Sequence, residues 1–233
     1  MNTASHSLST AGRLLVTASC LIGTAALAAP TNSFGDLAAG WAVGSGQPNG
    51  DFAISSNNSP EIELGLRSQD YQVGPSANDG ISDYFVAAGE RSLGSGLGTW
   101  NLDLSVYTYE AVISSSFDIF LDVDWNPGAG QNLVTYNLSA LLAGSGLTTY
   151  QASENLGFGF WGQAYDPFAT GTYSFTLRGY DRNNPNDLAA STTINVIVGD
   201  AGQGVPEPGS LALAGLALGG LLMARRRSRA AAA

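Results

Sequence analysis

The spacing with the most chemical content is Asp122-Val123-Asp124-Trp125-Asn126-Pro127-Gly128. On an extended strand, residues two apart share a face. Asp122, Asp124 and Asn126 therefore present oxygens to one side, and Asp118 joins them on the same strand. Calcium takes about six to eight oxygen ligands, so these three residues are the candidate calcium-ligating set. The pattern departs from an EF-hand loop. Pro127 stands where that loop turns on glycine, and no bidentate glutamate closes it. The competing expectation is a solvated acidic face that ends in a Pro-Gly turn.

Other groupings are weaker. Asp181, Asn183, Asn186 and Asp187 make an oxygen-rich stretch that also reads as an ordinary hairpin connector. Glu61 and Glu63 lie on one strand face and would be the simplest acid and base pair of a carboxylate-based glycoside hydrolase. Gly94-Ser95-Gly96-Leu97-Gly98 lacks the spacing, lysine and following helix of a phosphate loop. For sugar binding the available aromatics are Trp41, Trp100, Trp125, Trp161, Tyr107, Tyr109, Tyr165 and Tyr180. Trp125 and Trp161 are expected in the core. Tyr107 and Tyr109 share the outer face of their strand with Asp103, a face expected to be covered by a second layer.

Composition removes whole classes of chemistry. The only Cys and His, Cys20 and His6, lie near the N-terminus, and there is no lysine. Between 29 and 204 this excludes Ser-His-Asp and Cys-His nucleophiles, His/Cys zinc sites, lysine Schiff bases and disulfides. In that stretch eighteen carboxylates stand against Arg67, Arg91, Arg178 and Arg182. Such a surface repels nucleic-acid phosphates, so no nucleic-acid partner is expected.

The elements that must position these residues read as strands. Asp51–Ser55, Glu61–Leu66, Trp100–Tyr109 and Phe117–Trp125 alternate with period two. In the last of these Phe117, Ile119, Leu121, Val123 and Trp125 point inward. Leu156–Trp161 reads as a short aromatic strand, and Leu138–Ala143 as a single helical turn. Thr172–Tyr180 and Ala190–Val198 form the clearest hairpin, joined across Asp181–Asp187. Asn49-Gly50 and Asp79-Gly80 are turn dipeptides. No long stretch carries a 3.6-residue apolar period. The expected fold is all-β, an antiparallel β-sandwich of jelly-roll or immunoglobulin-like type.

The two ends are of a different kind. Arg13, the apolar run Leu14–Ala25 and the A-x-A site Ala26-Leu27-Ala28 read as a cleaved signal peptide spanning 1–28. Signal peptidase is expected to cut between Ala28 and Ala29, because a cut one residue later would place Pro30 just past the scissile bond. Thr17 and the apolar sequence after Cys20 argue against a lipobox. After the body, 29–204, the tail 205–233 holds Val205-Pro206-Glu207-Pro208-Gly209 and an uncharged run from Ser210 to Ala224. Arg225, Arg226, Arg227 and Arg229 follow as a membrane stop. The run would make a transmembrane helix of roughly 22 Å, short for a ~30 Å hydrocarbon core. Gly215 and Gly219 give it a small-residue face. The arginines should stay cytoplasmic, which places the body outside.

This tail resembles the PEP-CTERM sorting signal of Gram-negative bacteria: Pro206-Glu207-Pro208, then an apolar helix, then an arginine cluster. The resemblance implies handling by exosortase, a membrane-embedded cysteine peptidase-like enzyme. It would recognise the chain at the Pro-Glu-Pro motif and cleave nearby, after a transient stay in the inner membrane. The mature protein would then reach the cell surface or extracellular material, often in exopolysaccharide and biofilm systems. Trp100–Ser105 and Gly171–Leu177 are also similar to bodies found in front of this signal. The expected function is therefore that of an exported matrix protein without catalysis or cofactor of its own. The alternatives are a carbohydrate- or calcium-binding adhesion module, and a carboxylate-based hydrolase.

Overall fold

The computed structural model describes residues 29–44, 47–59 and 61–199. The expected signal peptide with Ala28, the Pro206-Glu207-Pro208 motif, the apolar run and the arginine cluster lie outside the described residues. Among the described residues no helix is long and apolar enough to cross a membrane.

The chain is built from strands β1 (Thr31–Gly35), β2 (Phe52–Asn58), β3 (Glu61–Asp70), β4 (Gly74–Pro75), β5 (Ala77–Asn78) and β6 (Asp83–Ala87). They are followed by β7 (Trp100–Thr108), β8 (Phe117–Asp124), β9 (Leu133–Asn137), β10 (Thr149–Glu154), β11 (Gly171–Asp181) and β12 (Leu188–Gly199). Two one-turn helices, α1 (Ile113–Ser116) and α2 (Ser139–Leu142), sit in the connections. The strands form two sheets, ordered β1-β2-β3-β7-β10, with β4 pairing β3, and β5-β6-β12-β11-β8-β9.

The sheets face each other across one core. Leu64, Leu66, Leu102, Leu104 and Val106 come from the first, and Ile119, Leu121, Phe175, Leu177, Ile194 and Val196 from the second. These are the period-two residues of their strands, so burial of one face fixes the register. The inward set Phe117 to Trp125 is buried as expected, as is Trp161, and Trp100, named among the aromatics available to a sugar, is buried too. The hairpin β11–β12 pairs Phe175 with Ile194 and Leu177 with Thr192.

Three expectations need correcting. The sandwich is mixed rather than purely antiparallel, because β6 runs parallel to β12. Between β6 and β12 the chain visits the first sheet for β7 and β10 and the second for β8, β9 and β11. Leu156–Trp161 is not a strand: it is a turn and a 3-10 turn, Gly159–Trp161. Asn155 Oδ1 accepts the Gly157 amide and bends the chain there. Gly157 also packs so closely on the Gly96 carbonyl that a Cβ would lie 2.2 Å from it. The third correction concerns the outer face of β7. It is covered by the long β1–β2 loop and not by another sheet.

That loop explains why β3 and β7 are buried on both faces. Leu37 packs with Phe52 and Ile54 into a small second core, with Trp41 against it. Leu37 occupies the space above Gly65, where a Cβ would come within 2.4 Å of its Cδ2. Side chains of the sheet grip the loop backbone. Glu63 accepts the Ala38 amide at 2.9 Å, and Gln151 donates to the Gly40 carbonyl at 2.6 Å and accepts from Ala42 at 3.0 Å. Within the loop, the Asn49 amide bonds both N–H and C=O of Leu37.

Candidate functional site

Asp118, Asp122 and Asp124 all lie on the solvent side of β8, as their spacing requires, but their oxygens are already engaged. Asp122 Oδ2 is 2.7 Å from Arg178 Nη2, and its Oδ1 accepts from the Thr135 hydroxyl at 2.6 Å. Arg178 also donates to the Tyr180 hydroxyl at 2.9 Å. Asp118 pairs with Arg182 at 2.8 Å. Asp124 Oδ1 accepts the amides of Asn126 and Asn132, and Asn126 Oδ1 accepts that of Gly128. The side chains close the β8–β9 turn upon itself. Among the described residues no three His, Cys, Asp or Glu side chains gather as a metal ion would need.

The stretch Asp181–Asp187 is a hairpin connector. Asp181 Oδ1 accepts the Asn183 amide, and Asn184 bonds the Asp187 carboxylate. The glycine loop 94–98 does cradle an anion, but the anion is the chain's own Glu90. Its carboxylate accepts the Gly94 amide at 2.6 Å and the Gly96 amide at 2.9 Å.

The first sheet carries the richest chemistry. Across its outer face Gly35, Phe52, Arg67, Asp103 and Ser153 stand in register, and Thr31, Ser56, Glu63, Tyr107 and Thr149 form a parallel row. The first row lies beneath the β1–β2 loop. Arg67 is fully buried there, 2.8 Å from Asp103 and donating to the carbonyls of Pro48 and Gly50 at 2.9 and 2.7 Å. Its guanidinium carbon lies 4.2 Å from the Phe52 ring centre and 5.1 Å from that of Trp41. Burial pushes the Asp103 carboxyl up to about 6, against the pull of Arg67.

The second row extends beyond the loop. The rings of Tyr107 and Tyr109 stand 4.8 Å apart. Tyr107 is half-buried, while Tyr109 is 41% exposed. Burial against the sheet, then the charges of Glu63 and Glu61, push the Tyr109 hydroxyl above its usual range. Glu63 is buried, and this raises its carboxyl, while the Ala38 amide pulls it down. Glu61 is exposed. The result is an accessible aromatic pair edged by two carboxylates and by the hydroxyls of Thr31, Ser56 and Thr149. An aromatic face with a polar rim suits a ligand that is apolar on one side and hydroxylated at its edge.

Sequence reasoning missed three contacts. Arg67 and Asp103 are 36 positions apart, and alternation marks both as outward polar residues without saying that a loop will bury them. The signal was the apolar pair Leu37 and Trp41 inside a stretch without strand periodicity. The second is Asn155, fully buried. Its Nδ2 donates to the carbonyls of Gly98 and Trp100 and to Asn101 Oδ1, and its Oδ1 accepts the Gly98 and Gly157 amides. The third is Arg91, stacked 3.9 Å above the centre of the Tyr71 ring.

The fold and these surfaces define an all-β sandwich body carried ahead of a separate tail. Residues 204–227 match the family model described as the PEP-CTERM protein-sorting motif, so the chain carries a PEP-CTERM sorting signal at its C-terminus. The match spans Pro206, Glu207 and Pro208 and supports an exported protein that exosortase sorts. No curated protein matches the chain.

Proposed function

We propose that this is an extracellular-matrix protein, delivered by exosortase, whose sandwich acts as an adhesion module for extracellular polysaccharide and makes or breaks no bonds itself. Signal peptidase releases the N-terminus, the tail holds the chain briefly in the inner membrane, and cleavage near Pro206-Glu207-Pro208 hands the body onward. The observation that supports adhesion is the Tyr107–Tyr109 pair, edged by exposed Glu61 where the β1–β2 loop ends over buried Glu63. Tyrosine rings offer a surface for the C–H face of a sugar, and the carboxylates and hydroxyls accept and donate to its rim. The body's acidic surface favours neutral polysaccharide, or anionic polysaccharide bridged by cations.

Two measurements test this. Intact mass and cell fractionation in the native host compare the wild type with a variant in which Pro206, Glu207 and Pro208 are all alanine. The wild type should lose its tail and leave the membrane while the variant stays. Co-sedimentation with the host's exopolysaccharide then compares wild type with Tyr107→Ala/Tyr109→Ala, which should bind about tenfold more weakly, or ~1.4 kcal/mol. Equal binding by the two would remove this face from the proposal.

A further inference from the structure

We propose that, while the tail anchors the chain, one end of the sandwich lies against the lipid bilayer, dipping Val73, Leu93, Phe160 and Phe168 into its interface and setting Arg91 against lipid phosphate. This rests on the sorting reading above, with the apolar run from Ser210 held in the membrane.

Topology brings these residues to the end from which the tail leaves. The last described residue is Gly199, at the end of β12 and paired with Ala87 of β6. The connections beyond β6 are stitched to it. The Ala88 amide donates to the Gly199 carbonyl at 2.7 Å, and the Gly89 amide to that of Pro167 at 2.8 Å, which brings in Phe168. Glu90 bridges to Gly98, so Leu93 forms the tip between them. Asn155, which binds both Gly98 backbone groups, holds the segment that carries Phe160. The Tyr71 amide donates to the Thr99 carbonyl, adding the β3–β4 turn with Val73.

Exposed aliphatic side chains occur at both ends, Leu141 at 71% among those at the far one, so the phenylalanines make the difference. Val73 is 81% exposed, Phe160 65%, Phe168 61%, and Leu93 fully. Both exposed phenylalanines of the described residues are here. Several large apolar tips gathered at one end make the kind of surface that marks contact with a partner or a membrane. Amphipathic binding to an interface scales with the apolar area inserted.

Charge agrees. Among the described residues Arg91 is the one arginine without a carboxylate partner, and it sits at this end on Tyr71. A guanidinium is suited to a phosphodiester. The acidic body disfavours strongly anionic lipid, so a zwitterionic surface fits best.

The tether keeps this end, and not the far one, close to the membrane. Ten residues separate Gly199 from Ser210. A chain of that length spans at most roughly 40 Å even when fully extended. The opposite end of the sandwich is a further ~40 Å away along β12. Tyr107 and Tyr109 lie towards that far end, since Thr108 bonds Thr148 there. The sugar-binding face thus points outward while the apolar tips face the membrane.

The test uses the full chain in vesicles of phosphatidylcholine and phosphatidylethanolamine. A Cys20→Ser background carries a single cysteine at Leu93→Cys, Phe168→Cys or, as the far-end control, Leu141→Cys, each labelled with an environment-sensitive fluorophore. Flotation reports anchoring separately. The expected result is co-flotation, with a blue shift and loss of emission to brominated lipid at 93 and 168 but not at 141. Co-flotation with no shift at 93 and 168, or with equal shifts at all three, overturns the bilayer contact and leaves the anchor standing. Failure to float takes down the anchor reading, and the contact with it.

Discussion

Arg67 Nε lies 2.8 Å from Asp103 Oδ2, and neither side chain reaches solvent. The pair is central to the outer layer of the first sheet. From this one guanidinium, bonds run to the loop at Pro48 and Gly50 and to β7 at Asp103. Its flat face also completes the small core with Trp41 and Phe52. Removing one member of a buried ion pair leaves the other charge without compensation.

Arg67→Met is therefore expected to cost about 3–5 kcal/mol in urea unfolding. The loss should be local before it is global: amide hydrogen exchange at Ala38 and Ala42, both bonded to sheet side chains, should rise first. A variant that keeps wild-type protection at those amides would show that the loop is held by its apolar residues alone.

The pair also predicts a pH dependence. The Asp103 carboxyl stands at about 6 in the folded chain against an ordinary 3.8, chiefly through burial. A carboxyl raised on folding binds its proton more tightly in the native state. The stability it contributes is present below about pH 4 and lost as pH rises through about 6. Asp103→Asn should flatten that descending limb, even though its overall stability is lower. Buried Glu63 and half-buried Glu154 and Asp70, all raised by desolvation, leave a residual slope of the same sign. An unchanged limb in the variant would assign the whole slope to those three.

Asn155 gives a sharper test of how the tail-side loops are held. Three of its bonds are donations from Nδ2 to oxygens of Gly98, Trp100 and Asn101. Asn155→Asp keeps the shape and replaces the donor with an acceptor facing three acceptors. It should cost more than the about 1–3 kcal/mol of a single unsatisfied buried group. Thermal unfolding measures it, and recovery at low pH, where the new carboxyl can protonate and donate, is the expected signature. Equal melting temperatures for the variant at pH 4 and 7, after correction for wild type, would count against the donor role.

The strands and the core were legible because a half-buried strand writes its burial into alternation. Phe117 to Trp125 and Thr172 to Val198 show this directly. What alternation cannot tell is which polar face meets solvent. Asn101, Asp103 and Ser105 look like Tyr107 in pattern, yet the first three are buried, Asp103 beside the loop-bound Arg67 and Asn101 against Ser153 and Asn155, while the fourth is not. The aromatic run 156–161 misled for a related reason: its Gly157 serves a close backbone approach to Gly96, a contact set by a segment about sixty positions away. The parallel pair β6–β12 is equally non-local. The tail was readable because its signal is linear, a motif followed by an apolar run and a basic stop.

The acidic strand end offers the last test. Asp122 faces Arg178 and Thr135, and Asp124 spends Oδ1 on two amides, so a dication must displace a guanidinium to gain Asp122. Calcium at millimolar concentration should leave the melting temperature of the wild type unchanged. Arg178→Gln frees the carboxylate while keeping a polar side chain at the site, and costs at most about 1 kcal/mol because the pair is partly exposed. Any calcium-dependent rise should appear in that variant alone. A rise in the wild type that Asp122→Asn with Asp124→Asn abolishes would restore the strand end as a calcium site and make the cation part of the adhesion mechanism.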